Sequence, residues 1–461
     1  MTKIINFSQF LETKPKIFFL GIGGVSMSSL AFTAKKIGCD VSGYDCSRSE
    51  TVEKLEQAGI RVYSSFDEKH FENVDLVVYT GAIRENDIEL SYPRSIGIPT
   101  LPRSRFLGHL MQKSKNPIGV AGTHGKSTTT GMLTSIFLKD KARDPIVMAG
   151  AALPEIGGNY RLGSGEDFIF EACEYQNSFL DFHPHIAVIL NAEHDHADFF
   201  PTLQDVLDSF VKFADLAKAG FAVVNADNEG AKWVAERTSS PVFSFSAEKK
   251  ADLWCENLSE KNGFFSFDIQ TKAGDLCSVS LSVPGAHNVS NALAAASAAY
   301  LSDVSAEAIR AGLQSFRGVK RRFEYRGTCG KMQVFDDYAH HPDEIRATLL
   351  SAQKMGFPKI TVVFQPHTFS RTKAYWKGFV SSLSLADQVI LADIYPAREE
   401  ALPGIDCETL ARESDRFLYL GDMDKIAEHL LSSKEEGLLL IMGAGDVVSL
   451  TDRILTDKFT S

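Results

Sequence analysis

Three sets of residues along the chain combine types and spacings that can do chemistry. The first is Gly122-Thr123-His124-Gly125-Lys126-Ser127, followed by Thr128, set between an apolar run at 117–121 and a helix-capable run at 128–138. Strand, glycine turn and helix start make a phosphate cradle. The first N–H groups of a helix have no partner within it, and the helix dipole draws anions to them. Lys126 would reach the terminal phosphates of a nucleoside triphosphate, and the Ser127 hydroxyl would sit on magnesium. The common loop spacing would put its first glycine at Val120, so the pattern is the tighter Gly-x-x-Gly-Lys-Ser form.

The second set follows two further apolar runs. Glu171-Ala172-Cys173-Glu174 ends the run at 167–171, and Asn191-Ala192-Glu193-His194-Asp195-His196-Ala197-Asp198 ends the run at 186–190. Magnesium prefers oxygen ligands and uses one or two carboxylates beside substrate phosphates. Ser127 with Glu174 or Glu171 can hold one such ion, and His196 can ligate a second or orient an acceptor. Zinc on His194, His196 and Asp198 is a competing reading, weakened by poor spacing and the lack of a cysteine pair. His183 and His185, beside Pro184, read as loop surface. The third set is Asp336-Asp337-Tyr338-Ala339-His340-His341-Pro342, then Gln365-Pro366-His367 with Ser370-Arg371-Thr372, Glu399, and Gly443-Ala444-Gly445-Asp446. These too stand directly after apolar runs.

The elements that must position these residues read as strands alternating with helices, an α/β pattern. Continuous apolar runs suit parallel strands covered on both faces. Such a sheet collects its strand ends, and hence its ligands, on one edge. An opening segment, 1–114, carries Lys16–Leu20, then Gly21-Ile22-Gly23-Gly24-Val25-Ser26, a helix to about 37, and a second strand ending in Asp45. A third strand at 74–80 ends at Thr80-Gly81. The third glycine of a dinucleotide fingerprint falls at Ser26, so a nucleotide or phosphate other than a nicotinamide cofactor is the favoured ligand there. The polar, proline-ended stretch 113–117 reads as a linker. A central segment, 115–315, adds shorter alternating runs between 251 and 283 that suggest antiparallel hairpins, and an Ala-rich helix at 289–300. Asn291 in its first turn reads as a cap, with a base contact as the alternative. A last segment, 316–461, opens with basic residues through Arg322 that read, in isolation, as a solvated linker. The expected architecture is an N-terminal Rossmann-like domain, a central P-loop-type domain with added antiparallel strands, and a C-terminal Rossmann-like domain.

The net charge of −11 argues against a nucleic-acid surface. No apolar run reaches about 18 residues, so no membrane span is expected. Residues 1–19 lack the long apolar stretch of a signal peptide. The seven cysteines are scattered singly, which suits a reducing cytoplasm.

Taken in order, these motifs resemble the Mur ligases, the ATP-dependent amino-acid ligases of peptidoglycan precursor synthesis. The resemblance rests on Gly21-Ile22-Gly23-Gly24 with Met27, the Gly122–Thr130 run, Glu171-Ala172-Cys173-Glu174 with Ser178-Phe179-Leu180, Asn191 with Asp195-His196, His287-Asn288 with Asn291-Ala292-Leu293, Arg322-Phe323-Glu324, and the third set above. It spans nearly the whole chain, and the third set favours the alanine-adding members. It implies ATP and Mg2+ as cofactors and UDP-N-acetylmuramate and L-alanine as substrates, with a monomer or weak homodimer in the cytoplasm. By position it implies that Lys126 and Ser127 handle the triphosphate and its magnesium. Glu174 and His196 resemble the metal-binding acid and histidine. Asn291, Arg322 and Asp337 resemble ATP-contacting residues, which displaces the cap and linker readings of Asn291 and Arg322. His341, His367, Arg371 and Glu399 resemble residues that meet muramate and alanine, and the C-terminal domain becomes a lid. Gly23, Gly24, Asp45 and Thr80 would lie near the UDP end. Phe18, Ser26, Cys173, Tyr175 and Thr368 depart from the usual family residues. Runner-up readings are a ligase attaching a preformed murein peptide to the same sugar nucleotide, folate polyglutamylation, and a non-catalytic nucleotide-binding regulator.

Overall fold

The computed structural model describes residues 7–455 apart from 85, 196–198, 262 and 398. The chain forms two compact units. One comprises Met1–Cys255, Ile269–Cys277 and Asn291–Gly312; the other comprises Glu256–Asp268, Ser278–Ser290 and Leu313–Ser461.

The first unit carries one sheet entirely and most of a second. Strands β1 (Lys16–Leu20), β2 (Asp40–Tyr44), β3 (Arg61–Tyr63), β4 (Leu76–Tyr79) and β5 (Thr100–Pro102) pair in the order β3-β2-β1-β4-β5, all parallel. The chain starts at the centre and winds first one way, then the other. The loops after β1 and β4 therefore flank the crevice where such sheets take ligands.

The second sheet is built on β6 (Asn116–Ala121), β7 (Ile146–Leu153), β8 (Gly158–Arg161), β9 (Asp167–Glu171), β10 (Ile186–Ile189), β11 (Phe221–Asn225) and β12 (Val242–Ser246), with the meander β13 (Leu253–Lys261), β14 (Phe264–Thr271) and β15 (Gly274–Ser280) at one end. Its order is β15-β14-β13-β12-β11-β10-β6-β9-β7-β8. β6 lies between β9 and β10 and runs parallel to both, in the register Ile118↔Ile169 and Ile118↔Ile186. Ile118, Val120 and Ala121 are fully buried, which is why β6 reads as a continuous apolar run. The helix Lys126–Lys139 is buried nearly all round, including Thr129 and Thr130.

The sheet of the second unit has the order β16-β17-β21-β18-β19-β20, from β16 (Glu324–Cys329), β17 (Lys331–Asp337), β18 (Ile360–Phe364), β19 (Gln388–Ala392), β20 (Phe417–Gly421) and β21 (Glu436–Met442). All pairs are parallel except β16 with β17. The basic stretch read as a linker thus runs directly into an antiparallel edge strand. The α/β class with three sheets agrees with the expectation. The Ala-rich helix begins earlier than its sequence suggested, at His287, and runs to Leu301. Asn291 is its fifth residue, beyond the free N–H groups of the first turn, so the cap reading is corrected.

Candidate active site

In the first sheet, the turn after β1 is held by its neighbours. Gly21 has φ +76°, and a Cβ there would stand 2.7 Å from Thr80 Cγ2. Asp45, at the end of β2, accepts from Gly23 N at 2.8 Å and from Ser47 N at 3.0 Å. Gly23, Asp45 and Thr80 are therefore brought together, and Gly24 leads into the helix Val25–Lys36. The Asp45 carboxylate shapes the turn instead of projecting beyond it.

The ends of β6, β9 and β10 meet as their register requires. Gly125 has φ +84°, in the left-handed region that favours glycine, and opens the helix Lys126–Lys139. Lys126 folds back over the loop and donates to the carbonyls of Gly122 and Thr123 and to Glu174, whose Oε2 lies 3.1 Å away. Burial pulls the Lys126 ammonium toward the neutral form. The charge of Glu174, with that of Glu171, outweighs this, so its pKa ends up raised and the lysine is cationic. Ser127 Oγ donates to Glu171 Oε2 at 2.9 Å, and the same oxygen accepts from Gly150 N at 2.8 Å. The two glutamates thus divide the loop between them, one serving the lysine and the other the serine.

The third strand end clamps the loop backbone. Asn191 accepts from His124 N at 2.8 Å and donates back to His124 O at 3.1 Å. Thr123 Oγ1 accepts from Glu193 N at 2.9 Å, and His124 Nε2 lies 3.6 Å from Glu193 Oε2. Thr128 follows Ser127 in the first turn of the helix. Asn291 is buried with its amide oxygen against Gly125, 2.6 Å from where a Cβ would be. His194 Nε2 is engaged with Phe200 O at 3.0 Å. His196, expected to bind metal or take part in catalysis, lies outside the described residues, as does Asp198 of the zinc reading.

In the second unit the strand ends form another cluster. Asp337, buried at the end of β17, accepts from Phe323 N at 2.8 Å and Ala339 N at 2.7 Å. Burial raises its pKa to about 6, against the opposing pull of Arg322 and these hydrogen bonds. Arg322 lies over the Tyr338 ring at 5.5 Å and 3.5 Å from Glu344. His341 caps the helix Pro342–Lys354, its Nδ1 accepting from Asp343 N at 3.3 Å, with its ring edge-on to Tyr375. His340 donates its Nδ1 toward Tyr338 O at 3.0 Å, and burial lowers its pKa to about 4 despite Glu344. His367 stacks on Tyr395 and lies 6.3 Å from the His340 ring. Burial and the charge of Arg371 lower its pKa. Glu399 accepts from Ser370 N at 2.8 Å and from Ser370 Oγ, hydrogen bonds that offset burial and keep it ionised. Thr368 has φ +64° and ψ 147°, a strained conformation for a residue with a side chain, held by Arg371 N on its Oγ1. The Arg371 side chain makes no ion pair among the described residues.

Sequence reasoning passed over Arg103, at the start of the helix Arg103–Met111 after β5. Its signal was its place at a strand end, obscured by the brevity of that strand.

Three family models tile the chain: a Mur ligase family catalytic domain at residues 16–115, a Mur ligase middle domain at 120–299, and a Mur ligase glutamate ligase domain at 321–445. The chain is 42% identical to the UDP-N-acetylmuramate–L-alanine ligase of Caldicellulosiruptor saccharolyticus, over 95% of this chain and 98% of that one. It is 42% identical to the protein of the same name from Acetivibrio thermocellus, over 96% of each. Among solved structures it is similar to the UDP-N-acetylmuramate–alanine ligase of Thermotoga maritima, with TM-score 0.80, 27% identity, and 95% and 98% of the two chains covered. A murein peptide ligase from Psychrobacter arcticus matches at TM-score 0.71 and 25% identity, over 96% and 98%.

Proposed function

The chain belongs to the Mur ligase family, and we propose that it joins L-alanine to the lactyl carboxylate of UDP-N-acetylmuramate, using ATP, in peptidoglycan precursor synthesis. The observation that carries the chemistry is the junction of β6, β9 and β10, where a cationic lysine, a serine and two glutamates surround a helix N-terminus. The identity of the substrates is carried by the relatives. We read the domains as 1–114 for the sugar nucleotide, 115–315 for ATP and 316–461 for the amino acid and lid. The reaction belongs in the cytoplasm, in keeping with seven free cysteines. Among the described residues no helix is long and apolar enough to cross a membrane.

A carboxylate is a poor acyl donor. In the proposed reaction one of its oxygens attacks the γ-phosphorus, the bond to the β-phosphate oxygen breaks, and ADP leaves an acyl phosphate. The obstacle is anion meeting anion. Lys126 and the N–H groups of residues 122–128 offset it by fixed positive charge. Ser127 and Glu171 already share an oxygen-rich corner that fits magnesium, with Glu174 and His196 as the other proposed ligands. The ion supplies further charge neutralisation on the phosphates. Asn291, Arg322 and Asp337 are proposed to hold the nucleotide.

The alanine nitrogen, as the neutral amine, then attacks the acyl carbon. The C–N bond forms, phosphate leaves, and one proton must go to a base. His341 uses Nδ1 as an acceptor at a helix N-terminus, which puts its own proton on Nε2 and makes it an orienting group. His367, kept neutral by burial and by Arg371, is the better proton acceptor. Arg371 and Glu399 would orient the muramate carboxylate and the alanine.

The test is phosphate release from ATP with UDP-N-acetylmuramate, adding L-alanine, glycine, L-serine or a murein tripeptide in turn. Release that depends on L-alanine is expected. Dependence on tripeptide alone would move the chain to the murein peptide ligases. No release with any acceptor would leave a nucleotide-binding protein without turnover.

A further inference from the structure

Arg103 follows β5 directly and so stands on the same edge of the first sheet as the turns after β1 and β4. Its Nη1 donates to Ser26 Oγ at 2.7 Å, in the first turn of the helix Val25–Lys36. Its guanidinium also feels the charge of Glu171 at the end of β9. Arg103 therefore touches the turn where a doubly wound sheet takes a diphosphate and feels Glu171, the acid that serves Ser127. It is half-buried and makes no ion pair among the described residues. A guanidinium carries five N–H donors, and a single neutral hydroxyl leaves most of them without an acceptor in a partly dry place. Its planar fork matches a carboxylate or a phosphate with two parallel hydrogen bonds. Ser26 stands where a dinucleotide fingerprint would have its third glycine, and a glycine there would offer no side-chain acceptor to hold the fork in place.

We propose that Arg103, oriented by Ser26, receives an oxyanion of the bound sugar nucleotide, either its diphosphate or its lactyl carboxylate. This rests on the substrate reading above, and the experiment separates the two. Full-length wild type, Arg103→Ala, Arg103→Lys and Ser26→Gly are titrated calorimetrically with UDP-N-acetylmuramate, with UDP-N-acetylglucosamine, which lacks the lactyl carboxylate, and with ATP. Loss of the fork is expected to weaken UDP-N-acetylmuramate by about 10- to 100-fold, the range of a charge-assisted hydrogen-bonded pair. Lysine should restore only part of this, because it supplies charge without the fork. Ser26→Gly should cost a few-fold, and ATP affinity should hold throughout. Equal weakening of both sugar nucleotides assigns Arg103 to the diphosphate; weakening of UDP-N-acetylmuramate alone assigns it to the carboxylate. Unchanged binding of both, or a parallel loss of ATP binding and melting temperature showing a merely structural role, overturns the proposal. Wild type that binds neither sugar nucleotide overturns the substrate reading together with it.

Discussion

At the end of β6 the Lys126 side chain is 14% exposed and lies 3.1 Å from a glutamate that is 3% exposed. At the end of β18 the Arg371 guanidinium has no carboxylate partner among the described residues, and the histidines nearest it electrostatically are held neutral. Both regions are polar clusters at the carboxyl edge of a parallel sheet, yet they manage charge in opposite ways. The loop is balanced internally. Lysine, glutamates and backbone carbonyls satisfy one another, so an incoming triphosphate exchanges one set of partners for another. In the cluster around Arg371 the guanidinium is left without an ion pair among the described residues, because the nearby Glu399 carboxylate is taken up by Ser370, so an arriving anion can engage it directly. The first arrangement suits a ligand that brings its own counter-ion, and the second suits a bare carboxylate.

The largest effect should follow from Lys126→Ala. Ligation should fall by about 10³-fold or more, the scale of a lost electrostatic stabiliser in phosphoryl transfer. Binding of UDP-N-acetylmuramate should survive, and an equal loss of both, seen by calorimetry beside the rate assay, would erase the division of labour. Glu174→Gln breaks the balanced pair and leaves a buried ammonium without its main partner. About 3 kcal/mol of stability should be lost, as for other broken buried pairs. Magnesium-ATP should restore much of the lost melting temperature; a variant as stable as wild type without nucleotide would show that the pair is not what balances the loop.

Arg371→Ala tests the other half of the comparison. It should raise the apparent KM for the substrate carboxylate by about 10- to 100-fold, as expected for a charge-assisted pair, without a change in stability or ATP affinity. A marked gain in stability would instead show that the unpaired guanidinium strains the fold.

The smallest effect concerns His340. Its folded pKa, about 4, lies below the unfolded value near 6.5, so the folded state prefers the neutral ring. The resulting stability is fully present above pH 6.5 and is lost as pH falls through about 4. It should amount to about 1–2 kcal/mol after allowing for partial exposure. Denaturant midpoints from pH 7.5 to 4 should therefore slope less in His340→Gln than in wild type, and identical slopes would refute the assignment.

Much of this was legible in the sequence wherever one residue's neighbours along the chain determine its setting. β6, β9 and β10 are buried on both faces, so their apolar runs marked them, and parallel pairing then forced residues 122–127, 171–174 and 191–193 together. Which glutamate serves Lys126 and which serves Ser127 was not legible, because both acids follow the same strand and only the path of the chain after Glu171 separates them. β3 and β5 are three residues long, and β5 ends in Pro102, so neither gives a periodic signal. β7 contains Ala149, Gly150, Ala151 and Ala152, which carry little strand preference; its pairing with β9 holds it in place. Arg103 was missed for the same reason: an isolated arginine acquires meaning only from the strand end it occupies.

The close approach of Asn291 to Gly125 has a consequence for how this gene can vary. Glycine at 125 is required twice, once by its left-handed backbone and once by an amide oxygen where a methyl group would have to go. No single replacement relieves both constraints, and shortening Asn291 removes only one of them. In a saturation library selected for growth, position 125 should return glycine codons alone, so an inhibitor whose contacts are confined to that backbone would face no escape by point substitution there.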